Sequence, residues 1–256
     1  MKYHRLLLFA LLFLSFDLFA QTVFLRSGAV QPEANIRKGV IDSFNTSAKR
    51  TAGQAFAVIQ FRNIPSAEER RILSAAGIVL LDYLPQNTYT VSIKADASLQ
   101  VLQGVNAKSL FQLSPVQKMQ DYFAKGLLPA WAVKVEGTVD VWISFPKTLN
   151  AADAIAELKA VNVEILSEKY TPYGILALRI SAARIAEIAS LPFVEYIQPA
   201  PPADQPLNYN SRTGSRANLL NAPVAAGGKG LNGEGVVVGV GDNADIQAHV
   251  DFTGRF

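Results

Sequence analysis

The chain has 256 residues, half of them hydrophobic, with 24 Lys and Arg against 21 Asp and Glu and a net charge of +3. Such a length allows about two domains, and so small a surplus, with no basic block, argues against nucleic acid or an anionic membrane surface as a partner. Cysteine is absent, which removes disulfides, thiol catalysis and thiolate metal sites. A phosphate loop of the G-x-x-x-x-G-K type is absent too.

The N-terminus reads as an address. Lys2 and Arg5 form a basic region, Leu6 to Phe16 an apolar one, and Ala20 precedes Gln21. This is a secretory signal pattern over residues 1–20, with Leu18 larger than the small residue usual two before the cut. The apolar run is too short to span a bilayer comfortably. A secreted or extracytoplasmic protein with no membrane attachment after signal cleavage is therefore expected.

Residues 21–115 open with a weakly periodic arm, including a strand at Thr22–Leu25, and then show a clear pattern. Ala55–Arg62 is strand-like. Ser66 is a suitable N-cap for a helix to about Ala76, with acidic Glu68 and Glu69 in its first turn and Gly77 as its stop. Ile78–Tyr83 and Thr88–Ile93 read as strands around a turn at Pro85-Gln86-Asn87. A short helix at Ala97–Leu102 and a strand at Ser109–Leu113 complete the order βαββαβ. Residues 116–137 are a connector, with Val116–Phe123 as a helical candidate and breaks at Gly126 and Pro129.

Over residues 138–199 the same order returns, displaced by roughly 84–87 positions. Val139–Phe145 alternates as a strand. Asn150 caps a helix over Ala151–Ala160, followed by a strand at Val163–Ser167 and a turn at Thr171-Pro172-Tyr173-Gly174. Ile175–Ile180 is a strand, Ala182–Ser190 a helix and Phe193–Gln198 the last strand. The expected fold class is α+β: two tandem ferredoxin-like βαββαβ domains, each an antiparallel sheet with two helices on one face. Neither copy interleaves aromatic and basic residues as an RNA platform would. Residues 200–234, rich in Pro, Asn and Gly, form a linker open to proteolytic processing.

The last stretch, 235–256, carries the chemistry. Gly235-Val236-Val237-Val238-Gly239-Val240-Gly241-Asp242 reads as a buried strand delivering a carboxylate at its C-terminal end. A nucleophilic triad needs a serine, a base and an orienting carboxylate. After signal removal His249 is the sole histidine, and no serine sits on a recognisable nucleophile turn. A complete triad within these residues is therefore not expected.

The Gly235–Asp242 run, followed by His249-Val250-Asp251-Phe252 and Gly254, resembles the catalytic-aspartate segment of subtilisin-like serine proteases. In that family a G-x-G-V-x-V-A-V-x-D strand precedes H-x-D/E-hydrophobic-x-G. The resemblance implies that Asp242 is the triad aspartate and that 235–256 begins a truncated α/β subtilisin-like domain. It also makes Asp251 a candidate ligand for a structural calcium ion, with no other cofactor required. His249 matches a histidine of the aspartate motif and not the catalytic base, which belongs to a later H-G-T-H segment, as the nucleophile belongs to a G-T-S segment. Asn243 and Ala244 stand where the family has Ser or Thr and then Gly, and Gly241 replaces a bulkier apolar residue.

Phe193-Val194-Glu195-Tyr196-Ile197-Gln198-Pro199 is similar to the closing strand of the family's pro-regions. The resemblance implies a secreted zymogen whose pro-region engages its own catalytic domain and whose substrates are peptides or proteins. The 256 residues alone are expected to be inactive. The alternative is a secreted non-enzymatic ferredoxin-like protein that binds or inhibits a protease. Gly239-Val240-Gly241-Asp242-Asn243-Ala244 also satisfies the G-x-G-x-x-A nucleotide fingerprint, a weak match without a following helix and acidic residue. A lone central strand exposes unpaired backbone and apolar side chains, so residues 236–256 are expected to be poorly anchored or to dock opportunistically on a pro-domain.

Overall fold

The structure, a computed structural model, describes residues 22–202, 214–239, 241 and 254. The expected signal peptide over 1–20 lies outside them. The chain divides into a unit ending at Pro201 and one beginning at Pro202.

The first unit is α+β with antiparallel sheets. A hairpin of β1 (Val23–Leu25) and β2 (Gly28–Val30) leads to helix α1 (Lys38–Ser47). The first half then runs β3 (Gln54–Phe61), α2 (Ala67–Ala75), β4 (Ile78–Leu84), β5 (Thr88–Lys94), a 3-10 turn at Leu99–Gln103 and β6 (Ala107–Phe111). Its sheet order is β4-β5-β3-β6, every pairing antiparallel. After the connector come β7 (Thr138–Ser144), α3 (Ala151–Ala160), β8 (Glu164–Ser167), β9 (Ile175–Ser181), α4 (Ile185–Ala189) and β10 (Tyr196–Pro199). This second sheet has the order β10-β7-β9-β8, again antiparallel throughout. Counted within each half, both sheets place the strands fourth, first, third, second.

Alternation drives each sheet against its helices. Ala55, Ala57, Ile59 and Phe61 on β3 join Tyr89, Val91 and Ile93 on β5 in one core. Val139, Val141 and Ile143 on β7 join Leu176, Leu178 and Ile180 on β9 in another. Leu73 from α2 and Leu158 from α3 are fully buried, and burying a side chain of that size contributes about 1.5–3 kcal/mol.

The helix starts follow capping chemistry. The Glu69 amide donates to Ser66 Oγ at 3.2 Å and the Ser66 amide to Glu69 Oε2 at 2.8 Å, a capping box. Asn150 Oδ1 accepts from the Ala152 amide at 3.0 Å. Gly174 ends its turn at φ 72°, and a Cβ there would meet the Phe145 carbonyl at 2.6 Å. Only glycine suits that position.

Several elements differ from the sequence reading. The expected helix at Ala97–Leu102 is the 3-10 turn Leu99–Gln103, whose leading Ser98 makes no capping bond. The Ser109–Leu113 strand begins earlier, at Ala107, and ends at Phe111. The helix expected over Ala182–Ser190 divides into a 3-10 turn at Ala182–Arg184 and the short α4. The last strand starts at Tyr196 because Phe193 and Val194 turn inward and bury at 0% and 1% exposure. The connector has a 3-10 turn at Val116–Lys118 and a single helical turn at Asp121–Ala124.

The second unit holds a helical turn at Asn218–Asn221 and a 3-10 turn at Val224–Ala226. Main-chain bonds from Lys229 to Leu219 (2.9 Å) and from Leu231 to Leu220 (2.7 Å) fold it back on itself. The strand expected from Val236 is not formed over its described residues. Val236, Val237 and Val238 are 67%, 99% and 73% exposed and belong to no sheet. An apolar run becomes a buried strand only with neighbours to pair and cover it, and no described strand pairs with this one.

Candidate functional site

The residues singled out by the protease-like motif, Asp242, His249 and Asp251, lie outside the described residues. Among the described residues no group of three His, Cys, Asp or Glu side chains could hold a metal ion. No described helix is long and apolar enough to cross a membrane.

The segment leading toward the linker is firmly set. β10 pairs with β7 along its length, and the Ala200 amide extends the ladder by donating to the Asp140 carbonyl at 2.9 Å. Trp131 of the connector donates its indole N–H to the Ala200 carbonyl at 3.1 Å and stacks edge-on against Tyr122 at 5.8 Å. The chain therefore leaves the second sheet from a fixed point.

Beside β10 the face of the second sheet turned away from its core carries aromatic and charged groups. Trp142 lies 5.1 Å from Tyr170. Arg179 sits between two carboxylates on neighbouring strands, as the cross-strand register dictates. It donates in a bidentate pair to Asp140 at 2.7 and 2.9 Å and approaches Glu164 at 3.9 Å. The Asp140 bond raises the Arg179 pKa further, so the guanidinium stays charged at any physiological pH.

A second feature lies within the first unit, between its halves. A cavity of about 300 Å³ is bounded by Phe56 and Val58 of β3 and Thr90 of β5, by Leu113 and Pro115 between β6 and the connector, and by the turn at Pro192 and Val194. Phe56 also packs against the core of the second half. Three ionisable side chains line this chamber: Lys49, which is exposed, and the more deeply set Lys118 and Glu195. Lys118, 8% exposed, is held where the 3-10 turn ends, and its ammonium donates to the Leu191 carbonyl at 3.0 Å. Glu195 precedes β10, and its amide donates to the Ser144 carbonyl at 2.9 Å.

Burial pulls the Lys118 pKa down to about 8, with Glu195 opposing the shift and Lys49 adding to it. Burial, and then Asp82, pushes Glu195 up to about 7, while Lys118 and Lys147 draw it back. Desolvation dominates both groups because each charge has lost water without gaining a full set of partners.

Sequence reasoning missed this pair. The clue was a lone lysine beside Pro115, Val116 and Met119, and a lone glutamate between Val194 and Tyr196. Each is a charge in an apolar setting, but only the fold brings them to one cavity.

A family model described as a domain of unknown function (DUF8729) matches residues 24–122. The match covers the first hairpin from Phe24, the first sheet and the connector as far as Tyr122, so it includes Lys118 and stops short of Glu195. No curated protein and no solved structure matches the chain.

Proposed function

We propose that the chain is the N-terminal part of a secreted subtilisin-like serine endopeptidase, with two ferredoxin-like modules as its pro-region. The observation that carries this reading is the run from Gly235 to Asp242 followed at fixed spacing by His249, Asp251 and Gly254. The fourth-first-third-second strand order of both sheets supports the ferredoxin-like part. The anchored exit at Ala200, ahead of a linker, suits a pro-region whose tail is handed onward for processing.

In the complete protein Asp242 would orient the catalytic histidine and stabilise its imidazolium, with peptide hydrolysis proceeding through an acyl-enzyme. Asp251 would be a ligand of a structural calcium ion.

The test is made on the full-length gene product. The expected outcome is a mature N-terminus within residues 200–234 in the native protein and an uncleaved precursor in Asp242→Asn, with labelling by a serine-directed phosphonate only in the former. Equal processing of both proteins, or no labelled serine, overturns the reading and favours a secreted non-enzymatic binder of proteases.

A further inference from the structure

We infer that the cavity between the two halves is a binding site for a small apolar zwitterion, an α-amino acid with a large hydrophobic side chain. The inference rests on the cavity alone and stands or falls independently of the protease reading.

The argument starts from unmet hydrogen-bonding capacity. An ammonium has three donors, and Lys118 uses one, on the Leu191 carbonyl. A carboxylate offers about four acceptor positions, and among the described residues the Glu195 side chain accepts no hydrogen bond and forms no ion pair with Lys118. Two opposite charges thus face one chamber without touching each other. Its remaining walls are mainly apolar, led by Phe56, Val58, Leu113 and Val194, with Ser47, Thr90, Gln112 and Ser190 as neutral polar groups and the exposed Lys49.

Charge decides among ligand classes. A simple carboxylate would gain Lys118 and be repelled by Glu195. A simple amine would meet the reverse. A neutral hydrophobe would leave both charges desolvated and unpaired, which is costly. A zwitterion places its carboxylate on Lys118, its ammonium on Glu195 and its side chain on the apolar wall. The other charges do not upset this assignment: Lys49, an exposed lining residue, adds a cation on the Lys118 side for the ligand carboxylate, and Asp82 and Lys147 near Glu195 oppose each other. At about 300 Å³ the chamber stands at the small end of ligand pockets. It suits a single amino acid and not a peptide of several residues.

The experiment is calorimetric titration of the 256-residue chain at neutral pH with L-phenylalanine, 3-phenylpropionate and 2-phenylethylamine. Saturable one-to-one binding of phenylalanine is expected, with each analogue about tenfold weaker or worse, because it leaves one buried charge without a partner. Lys118→Met should erase the preference over the amine, and Glu195→Gln the preference over the acid. The comparison of analogues on the native chain carries the test if either variant fails to fold. Absence of saturable phenylalanine binding, or analogues within about twofold of it, overturns the inference.

Discussion

The two sheets share a strand order and diverge in what they do with the face turned away from their helices. The equivalent ladder positions make the contrast concrete. In the first sheet Phe56 pairs with Ser92 and Val58 with Thr90. At the corresponding places in the second sheet, Asp140 pairs with Arg179 and Trp142 with Ala177. The first set is covered: Val58 is 1% exposed, Ser92 2%, and Phe56 reaches into the core of the second half. The second set carries a charged ladder flanked by half-exposed aromatics. One copy of the pattern has become a wall of the cavity, while the other keeps a face equipped for a polar partner. Repetition of a fold plan therefore fixes the helix-side core and leaves the opposite face free to specialise.

If Phe56 truly joins the halves, damage to one core must be felt in the other. Phe61, 2% exposed in the first core, tests this. Phe61→Ala should cost about 3–5 kcal/mol. Both tryptophans, Trp131 and Trp142, belong to the connector and the second half. A single shared transition, with the tryptophan-reported urea midpoint falling along with circular dichroism, is the expected result. A tryptophan midpoint that stays put would separate the halves and break the comparison at its root.

The two specialised faces differ next in electrostatics. Asp140→Ala leaves Arg179 half-buried with only the distant Glu164, and should cost about 2 kcal/mol in denaturant titrations. The equivalent hydroxyl of the first sheet, Ser92, donates to Gln54 Oε1 at 2.6 Å. Ser92→Ala removes a neutral bond and should cost only about 1 kcal/mol. Equal losses would mean that the charged ladder contributes nothing beyond an ordinary hydrogen bond.

Much of this layout was legible beforehand, for identifiable reasons. Ser66 and Asn150 announced their helices because a capping side chain and an apolar period coincided there. Strands β5 and β7 were legible because apolar residues alternate there, at Tyr89, Val91 and Ile93 and at Val139, Val141 and Ile143, whereas β3 and β9 read as strands from continuous apolar runs. Helix α1 was not foreseen: its N-cap is Arg37, which makes no side-chain capping bond, and its first turn has no acidic residue. Only Ile41 and Phe44 are buried along it, too few to show a period. The burial of Val58 and Phe56 was equally hidden, since a residue on the outer face of a strand reads as solvent-facing until a second domain covers it. Of the site, the aspartate motif was local and could be read, whereas the meeting of Lys118 with Glu195 depends on tertiary packing alone.

The cavity adds a pH dependence to the comparison. Glu195 has a pKa raised from 4.5 to about 7. Its favourable contribution is complete below the unfolded value and is lost as pH rises through about 7. Glu195→Gln should therefore stabilise the chain by about 2 kcal/mol at pH 8. The gap should close as pH falls toward 4.5. Thermal melts of both proteins from pH 8 to pH 5 would show this as converging curves, and parallel curves would place Glu195 in water.

The smallest expected difference returns to the feature the two halves hold most nearly in common, the start of the first helix in each. Ser66 closes a reciprocal capping box with Glu69, and Asn106 Nδ2 donates to the same carboxylate at 2.9 Å. Asn150 makes one capping bond. These bonds also hold the Glu69 carboxyl below its usual pKa, the Ser66 amide contributing most. Ser66→Ala should cost about 1 kcal/mol, and Asn150→Ala slightly less. Glu69→Gln can still accept from the Ser66 amide but loses the charge that favours a helix N-terminus. It should therefore fall between Ser66→Ala and the native chain. A cap at Asn150 worth as much as the box at Ser66 would show that the second accepting group in the first half adds nothing to stability. The two helix starts would then be equivalent in energy despite their different bonding.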